Sequence, residues 1–441
     1  MAPHVSFTLL ALAGLAAAKT CTNFTIPVSI SARQGLFKTI PVESNLDITT
    51  FSQAFTNIGQ NYTKELLQDY QTLNGDYKIS AKFCHPSSGS DGSIIQVLTH
   101  GIGFDKTYWD LSFNDYNYSY VEAAVKAGYS TLAIDRLGIG NSSHGDPFNT
   151  IQASAEVQAL NTITTKLRKG EISEISHSFD KVIHVGHSFG SVQSYWLSAL
   201  YPDNTDGLVL TGWSTNGSYV PITVASLNMH SARLNQPLRF GNASNEGLLK
   251  SLGAYASGDA LVRGVQSLLK SVGVDLSSQT VWEDIATTEV VDLINGYNKT
   301  VEALDYPSGY MTWSDLTANQ YAFLLQGFYD VALGLVAEST KQPVTVGEWL
   351  TIGSAPSSSS FSGPVLVFTG DHDVPFCGGD CYATGGTADS IPALSAAAFP
   401  KTNSFEAYIQ PNTAHGLNVH YNATAGYQYI QGWLGSHGLA A

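Results

Sequence analysis

KVIHVGHSFGSVQSYWLSAL, residues 181–200, runs from an apolar strand-like segment into a helix-like one across a single serine. The first half, VIHV, is short and β-branched in the manner of a buried strand, and SVQSYWLSAL reads as a helix. Between them Gly186-His187-Ser188-Phe189-Gly190 satisfies G-x-S-x-G. A sharp strand-to-helix turn leaves little room beside a nucleophile, and glycines two residues to either side of Ser188 let backbone and helix approach closely. Such a turn also puts the serine oxygen at a helix N-terminus, where developing negative charge is favoured. The motif alone is weak, and its setting between strand and helix gives it weight.

Segments of the same strand-like character recur at 94–101 (IIQVLTHG), 130–138 (STLAIDRLG), 207–213 (GLVLTGW), 364–371 (PVLVFTGD) and 405–411 (FEAYIQP). Apolar character on both faces belongs to parallel strands covered by helices. Helix candidates at 119–127, 151–168 and 189–200 alternate with them, so an α/β fold with a mostly parallel sheet is expected. The alternation stops near Ser214 and resumes near Pro364. Helix-like pieces at 246–255, 259–272 and 319–337 and the loop-like SAPSSSSFSGP (354–364) lie between. The reading therefore assigns 216–360 to a large, mainly helical cap or lid inserted into a core made of 19–215 and 361–441.

A serine hydroxyl needs a base within reach, and the base needs an orienting acid. His415, in PNTAHGLNVH just after the last strand candidate, is the expected base; His420, inside the next helix candidate, is the weaker alternative. Asp371 and Asp373, in FTGDHDVPF, compete for the acid's role. His187 and His372 are read as loop-packing residues, and Tyr108, Trp109 and Trp213 as core aromatics.

Four motifs fall in order along these strands. His100-Gly101 follows the first long one, Asp135-Arg136-Leu137-Gly138-Ile139-Gly140-Asn141-Ser142 the next, then comes GHSFG, and Gly370-Asp371-His372-Asp373 precedes Val374-Pro375. In these the chain resembles the α/β-hydrolase superfamily, in its secreted, capped, serine esterase or lipase-like branch with a GHSxG elbow, over about residues 75–215 and 364–437. The resemblance implies the α/β-hydrolase fold and a Ser188, Asp373, His415 triad in that order. It implies an oxyanion hole from the backbone N–H groups of Ile102 and Phe189, supported by His100, Gly101, Gly186 and Gly190. The family's G-x-x-D spacing from Gly370 favours Asp373 as the acid and leaves Asp371 to cap the turn; Asp135 is a turn residue. Ser191 stands where the family often has a further glycine, which should alter helix packing rather than chemistry. Family members that open epoxides or remove halogens carry Asp at the nucleophile position, and Ser188 argues against both.

Of the 441 residues, 43% are apolar, enough for a sizeable core, and only 13% are charged. With a net charge of −15 and no basic run, nucleic acid is not an expected partner. MAPHVSFTLLALAGLAAAKT (1–20) is apolar from Val5 to Ala18 and ends in small residues, so 1–18 reads as a secretory signal peptide, too short to be a stable membrane anchor. Sequons begin at Asn23, Asn61, Asn117, Asn141, Asn216, Asn242, Asn298 and Asn422, as in a glycoprotein. Cys21, Cys84, Cys377 and Cys381 allow three pairings; Cys21–Cys84 with Cys377–Cys381 is preferred, the second closing a tight CGGDC loop. A C-x3-C pair without further ligands does not complete a zinc site, and neither metal nor organic cofactor is expected.

The expected activity is hydrolysis of a moderately hydrophobic carboxylic ester, with a lactone as a further acyl substrate. Three alternatives stay open. An aminopeptidase-like peptidase would need cap acids such as Glu246, Glu283, Asp284 or Glu289 to hold a free amine. The others are a lyase or cyclase on the same fold, and a secreted binding protein without catalysis.

Overall fold

The computed structural model describes residues 19–87, 93–175, 177–241 and 306–441. The expected leader at 1–18, the helix candidates at 246–255 and 259–272, Asn242, Asn298 and the four acids considered for an amine site lie outside them.

Eight strands form one sheet in the order β1-β2-β4-β3-β5-β6-β10-β11. They are β1 (Lys19–Phe37), β2 (Leu67–Pro86), β3 (Ile94–Thr99), β4 (Ser130–Ile134), β5 (Lys181–His187), β6 (Gly207–Thr211), β10 (Pro364–His372) and β11 (Ser404–Ala414). From β4 to β11 every pairing is parallel; β1–β2 and β2–β4 are antiparallel. The central strands β3 and β4 are mostly apolar and buried along their whole length, as strands covered on both faces require.

Helices cover both faces, and the register shows which. His184 on β5 bonds Thr164 of the helix Ala153–Lys169 at 2.9 Å. Gln96 on β3 bonds Gln431 of the helix Ala423–Ser436 at 2.8 Å and accepts from Tyr120, at the start of the helix Tyr120–Lys126, at 2.7 Å. Gln96 pairs with Ile183, so it faces away from His184, because side chains alternate along a strand. The helices Ala153–Lys169 and Phe189–Leu200 pack together on the first face, and Tyr120–Lys126 and Ala423–Ser436 on the second.

All six strand expectations hold, with shifts at their ends. β4 stops at Ile134, and Asp135, whose N–H still donates to Ser80 O of β2 at 2.9 Å, opens the DRLG turn. The antiparallel pair β1–β2, joined through the helices Asn45–Phe55 and Tyr62–Leu66, has no counterpart in the sequence reading, although Ile26, Val28, Ile30 and Ala32 alternate with exposed residues along β1. Its Cys21 and Cys84 are register partners and form a disulfide; Cys377 and Cys381 form the other.

Between β6 and β10 the described residues form short helices, Val220–Leu227, Leu316–Phe323, Val331–Thr340 and Val346–Thr351, and a small antiparallel sheet of β7 (His230–Ser231), β8 (Tyr310–Thr312) and β9 (Val344–Thr345). The single helix expected at 319–337 is thus two. Leu324 is extended (φ −122°, ψ 141°) and His420 Nε2 takes the Leu325 N–H at 3.1 Å, which ends the first helix. No helix among the described residues is long and apolar enough to cross a membrane.

Candidate active site

Ser188 sits between β5 and the helix Phe189–Leu200 with φ 55° and ψ −119°, a left-handed conformation rare for a residue with a side chain. The glycines explain how the turn is held. A Cβ on Gly186 would stand 2.5 Å from the Ser191 backbone, and one on Gly190 would stand 2.1 Å from Thr99 O on β3. A Cβ on Gly101 would lie 2.7 Å from Ser188 Cβ, so the loop after β3 runs directly against the serine. Ser191, where the family often has glycine, donates to Thr211 O at 2.8 Å and ties the new helix to β6.

The ends of β10 and β11 bring His415 and Asp373 together. His415 Nδ1 lies 2.8 Å from Asp373 Oδ2, and both side chains are fully buried. The same carboxylate accepts from Thr369 Oγ1 at 2.6 Å and, through Oδ1, from the Phe376 N–H at 2.9 Å. With the carboxylate accepting, Nδ1 carries the proton and Nε2 is left with its lone pair. His415 Nε2 has no hydrogen-bond partner among the described residues. Thr369 is a partner of this carboxylate that the sequence reading missed; its only signal is its place four residues before Asp373.

The competing residues are committed elsewhere. Asp371 accepts from the Asn412 and Thr413 N–H groups at 2.9 and 3.0 Å and caps that turn. Burial raises its carboxyl, but these bonds and His372 outweigh it and hold it below the usual range. His420 Nε2 accepts from the Leu325 and Ala414 N–H groups at 3.1 and 3.2 Å, and Nδ1 meets Gly416 O at 2.8 Å, so neither nitrogen is free to act as a base. Asp135 accepts from the Lys106 and Asn141 backbones at 2.9 and 3.1 Å, as a turn residue should. His187 stacks on Tyr108 with ring centroids 4.5 Å apart, and its ring lies 4.9 Å from that of His415. Burial, with His415 and His100 nearby, keeps the His187 imidazole well below the ordinary value and so neutral. His372 is exposed and lies against Asp371. Tyr108, Trp109 and Trp213 are core residues.

Ser188 lines a narrow cleft with Ile102, Pro375 and Phe376 of the core and Val220, Thr223, Leu227, Phe323, Trp349 and Ile352 from between β6 and β10. Phe323 and Phe376 also flank the His415 ring, at 5.3 and 5.8 Å. The described lining carries no charge. Neither the Ile102 nor the Phe189 N–H has an acceptor among the described residues. The only cluster of potential metal ligands among the described residues is Cys21, Cys84 and Asp110, and the two sulfurs are bonded to each other.

The sequence profile of the alpha/beta hydrolase family matches residues 96–425. No curated protein matches the chain in sequence. Among solved structures, a thermophilic esterase from Thermogutta terrifontis is similar at 13% identity and TM-score 0.42, over 83% of this chain and 96% of its own. An epoxide hydrolase from Vigna radiata is similar at 13% identity and TM-score 0.42, over 82% and 95%. A peroxisomal alpha-beta-hydrolase from Saccharomyces cerevisiae is similar at 11% identity and TM-score 0.43, over 96% and 90%. With the parallel sheet, the serine elbow and a profile match over three quarters of its length, this chain belongs to the alpha/beta hydrolase family.

Proposed function

We propose that this protein is a secreted serine hydrolase that cleaves an uncharged, apolar carboxylic ester, or a lactone of like character, through an acyl-enzyme on Ser188. The reading rests on one arrangement above all: a serine on a strained strand-to-helix turn shares a cleft with the rings that flank a buried His415, and Asp373 holds that histidine by Nδ1.

In this mechanism His415 Nε2 takes the Ser188 proton as Oγ attacks the ester carbonyl. Asp373 keeps the imidazole in the Nδ1–H tautomer and stabilises the imidazolium. The oxyanion is received by the N–H groups of Ile102 and Phe189, which have no other acceptor among the described residues. His415 then protonates the departing alcohol and activates the water that releases the acid. The uncharged lining supports an apolar ester over a peptide with a free amine, for which the described lining offers no carboxylate. The segment assigned to the cap, 216–360, supplies six of the ten lining residues and would exclude water from the acyl-enzyme.

Secretion is supported by the apolar leader, by two disulfides, and by four sequon asparagines, Asn23, Asn61, Asn117 and Asn141, that lie exposed. Asn216 and Asn422 are half-buried, and Asn422 Nδ2, the atom a glycan would need, donates to Pro411 O at 2.8 Å.

The experiment is labelling with a fluorescent fluorophosphonate, wild type against Ser188→Ala, followed by a panel of p-nitrophenyl esters. Rapid labelling lost in the variant, with ester turnover, supports the reading. A folded wild type that neither labels nor turns over any ester would move it to a binding protein on this fold.

A further inference from the structure

Arg136 is one of the largest fully buried side chains, lies two residues past β4, and has no part in the mechanism above. Its guanidinium Nη1 meets Glu156 Oε2 at 2.6 Å and also Glu348, a residue 212 positions away on the helix Val346–Thr351. A buried arginine between two carboxylates is costly to assemble and contributes little net stability, so its value is more readily sought in the geometry it imposes.

That geometry converges on the oxyanion hole from two sides. The Arg136 guanidinium carbon lies 4.8 Å from the centre of the Phe189 ring, and Phe189 carries one of the two donors. Glu156, its first partner, also accepts from Gln193 Nε2 at 2.7 Å, one helical turn beyond Phe189 on the same helix. On the other side, the Arg136 backbone N–H donates to His100 Nε2 at 3.0 Å. His100 Nδ1 meets Gly101 O at 2.8 Å, which closes the turn directly before Ile102, the second donor. The accepting role of Nε2 requires a neutral, Nδ1–H imidazole, and burial with the nearby Arg136 charge keeps His100 in that state. Glu348 extends the same grip to the cleft wall. Its Oε2 caps its own helix through the Thr345 N–H at 2.7 Å, and the next residue, Trp349, lines the cleft.

We propose that Arg136 is the positioning residue of the oxyanion hole, one buried residue that sets the Phe189 donor, the Ile102 loop and the Trp349 wall in a common register. The proposal rests on the serine-hydrolase reading. The guanidinium suits the task because its carbon lies 4.8 Å from the centre of the Phe189 ring while Nη1 meets both carboxylates, a reach that the shorter, point-like ammonium of lysine reproduces only in part.

The test uses the full-length secreted protein and the variants Arg136→Met, Arg136→Lys and Glu348→Gln. Four quantities are read: Tm, kcat and KM on p-nitrophenyl butyrate, and the Ki of an alkyl boronic acid whose tetrahedral adduct places an oxygen in the hole. Arg136→Met is expected to lose roughly 100-fold in kcat with KM little changed, as for a donor displaced by about 1 Å. The boronate should weaken by the same factor. Arg136→Lys should recover part of the loss, and Glu348→Gln should show a smaller loss of the same kind. A merely structural role would lower Tm and leave kcat and Ki at wild-type values; that result in the folded variants overturns the proposal. If Arg136→Met fails to fold, Arg136→Lys and Glu348→Gln decide by the same criteria. Fluorophosphonate labelling of the wild type separates the two levels: without it the serine reading fails and takes this proposal with it, whereas labelling with unaltered variants defeats the proposal alone.

Discussion

Asp373 Oδ2 stands 2.8 Å from His415 Nδ1 and also accepts from Thr369 Oγ1, so one carboxylate oxygen from the end of β10 orients a histidine that follows β11. The two residues are 42 positions apart and fully buried. In that setting a wrong tautomer has no solvent through which to correct itself. Asp373→Asn is therefore expected to fold and to lose about 10⁴-fold in kcat on a p-nitrophenyl ester. Asp371→Asn, which touches the turn and not the imidazole, should cost about 1 kcal/mol in chemical unfolding and leave kcat nearly unchanged. The reverse ranking would assign the acid's role to Asp371.

The Cys377–Cys381 disulfide closes the loop that follows this carboxylate. The Cys377 and Gly379 N–H groups donate to Asp373 O at 3.2 and 2.9 Å, and the Cys381 N–H donates to Asp371 O at 3.0 Å. The two cysteines and Ile391 form a small apolar cluster apart from the main core. Replacing both cysteines by serine should lower stability by about 2 kcal/mol, the chain-entropy value for so short a loop. It should also lower kcat as Asp373 gains freedom. A double variant with unchanged Tm and kcat would show that the backbone bonds suffice without the bridge.

Burial sets a pH limit on stability. The His420 imidazole is pushed down to about 4, chiefly by burial, and that of His184 to about 3 by burial and the Arg168 charge. Both titrate near 6.5 in the unfolded chain, so there the unfolded state takes up these protons first. Their contribution is complete above about pH 6.5 and is lost as pH falls toward 4 for His420 and toward 3 for His184. Each should add up to about 1.4 kcal/mol per pH unit to the slope of unfolding free energy in that window. Denaturant unfolding of His420→Asn between pH 4.5 and 7.5 should show a shallower slope than wild type. An identical slope would mean that His420 is already charged in the fold.

Chain-length preference should follow the cleft wall. Ile352 and Val220 line it and are only half-buried, so substitutions there act on the cleft with little cost to the core. Ile352→Ala should shift the kcat/KM ratio of octanoate to butyrate esters upward by roughly tenfold, and Val220→Phe should shift it downward. If neither substitution changes the ratio, the acyl group lies elsewhere.

Much of this was legible along the chain because the signals are local. A parallel strand buried on both faces must be largely apolar, and so β3, β4, β5, β6 and β10 could be read directly, whereas the edge strand β11 is only half-buried along most of its length and was read from the apolar residues within it. The elbow was legible because its glycines answer to contacts within a few residues or with the adjoining strand. The antiparallel pair β1–β2 escaped, since its exposed face interrupts the apolar run and leaves a two-residue alternation easily taken for loop. The break between Leu316–Phe323 and Val331–Thr340 also escaped, because His420, about a hundred residues away, takes the N–H that would have continued the helix.

The sequence by itself determined the fold class, the order of the motifs along the strands and the residue types at the turn ends, because these depend on periodicity and on backbone conformations that few residues tolerate. Tertiary structure alone showed that Asp373 rather than Asp371 meets His415, that both ring nitrogens of His420 are bonded elsewhere, and that Arg136 meets Glu348. Each of those is a contact between segments whose spacing along the chain carries no record of their separation in space.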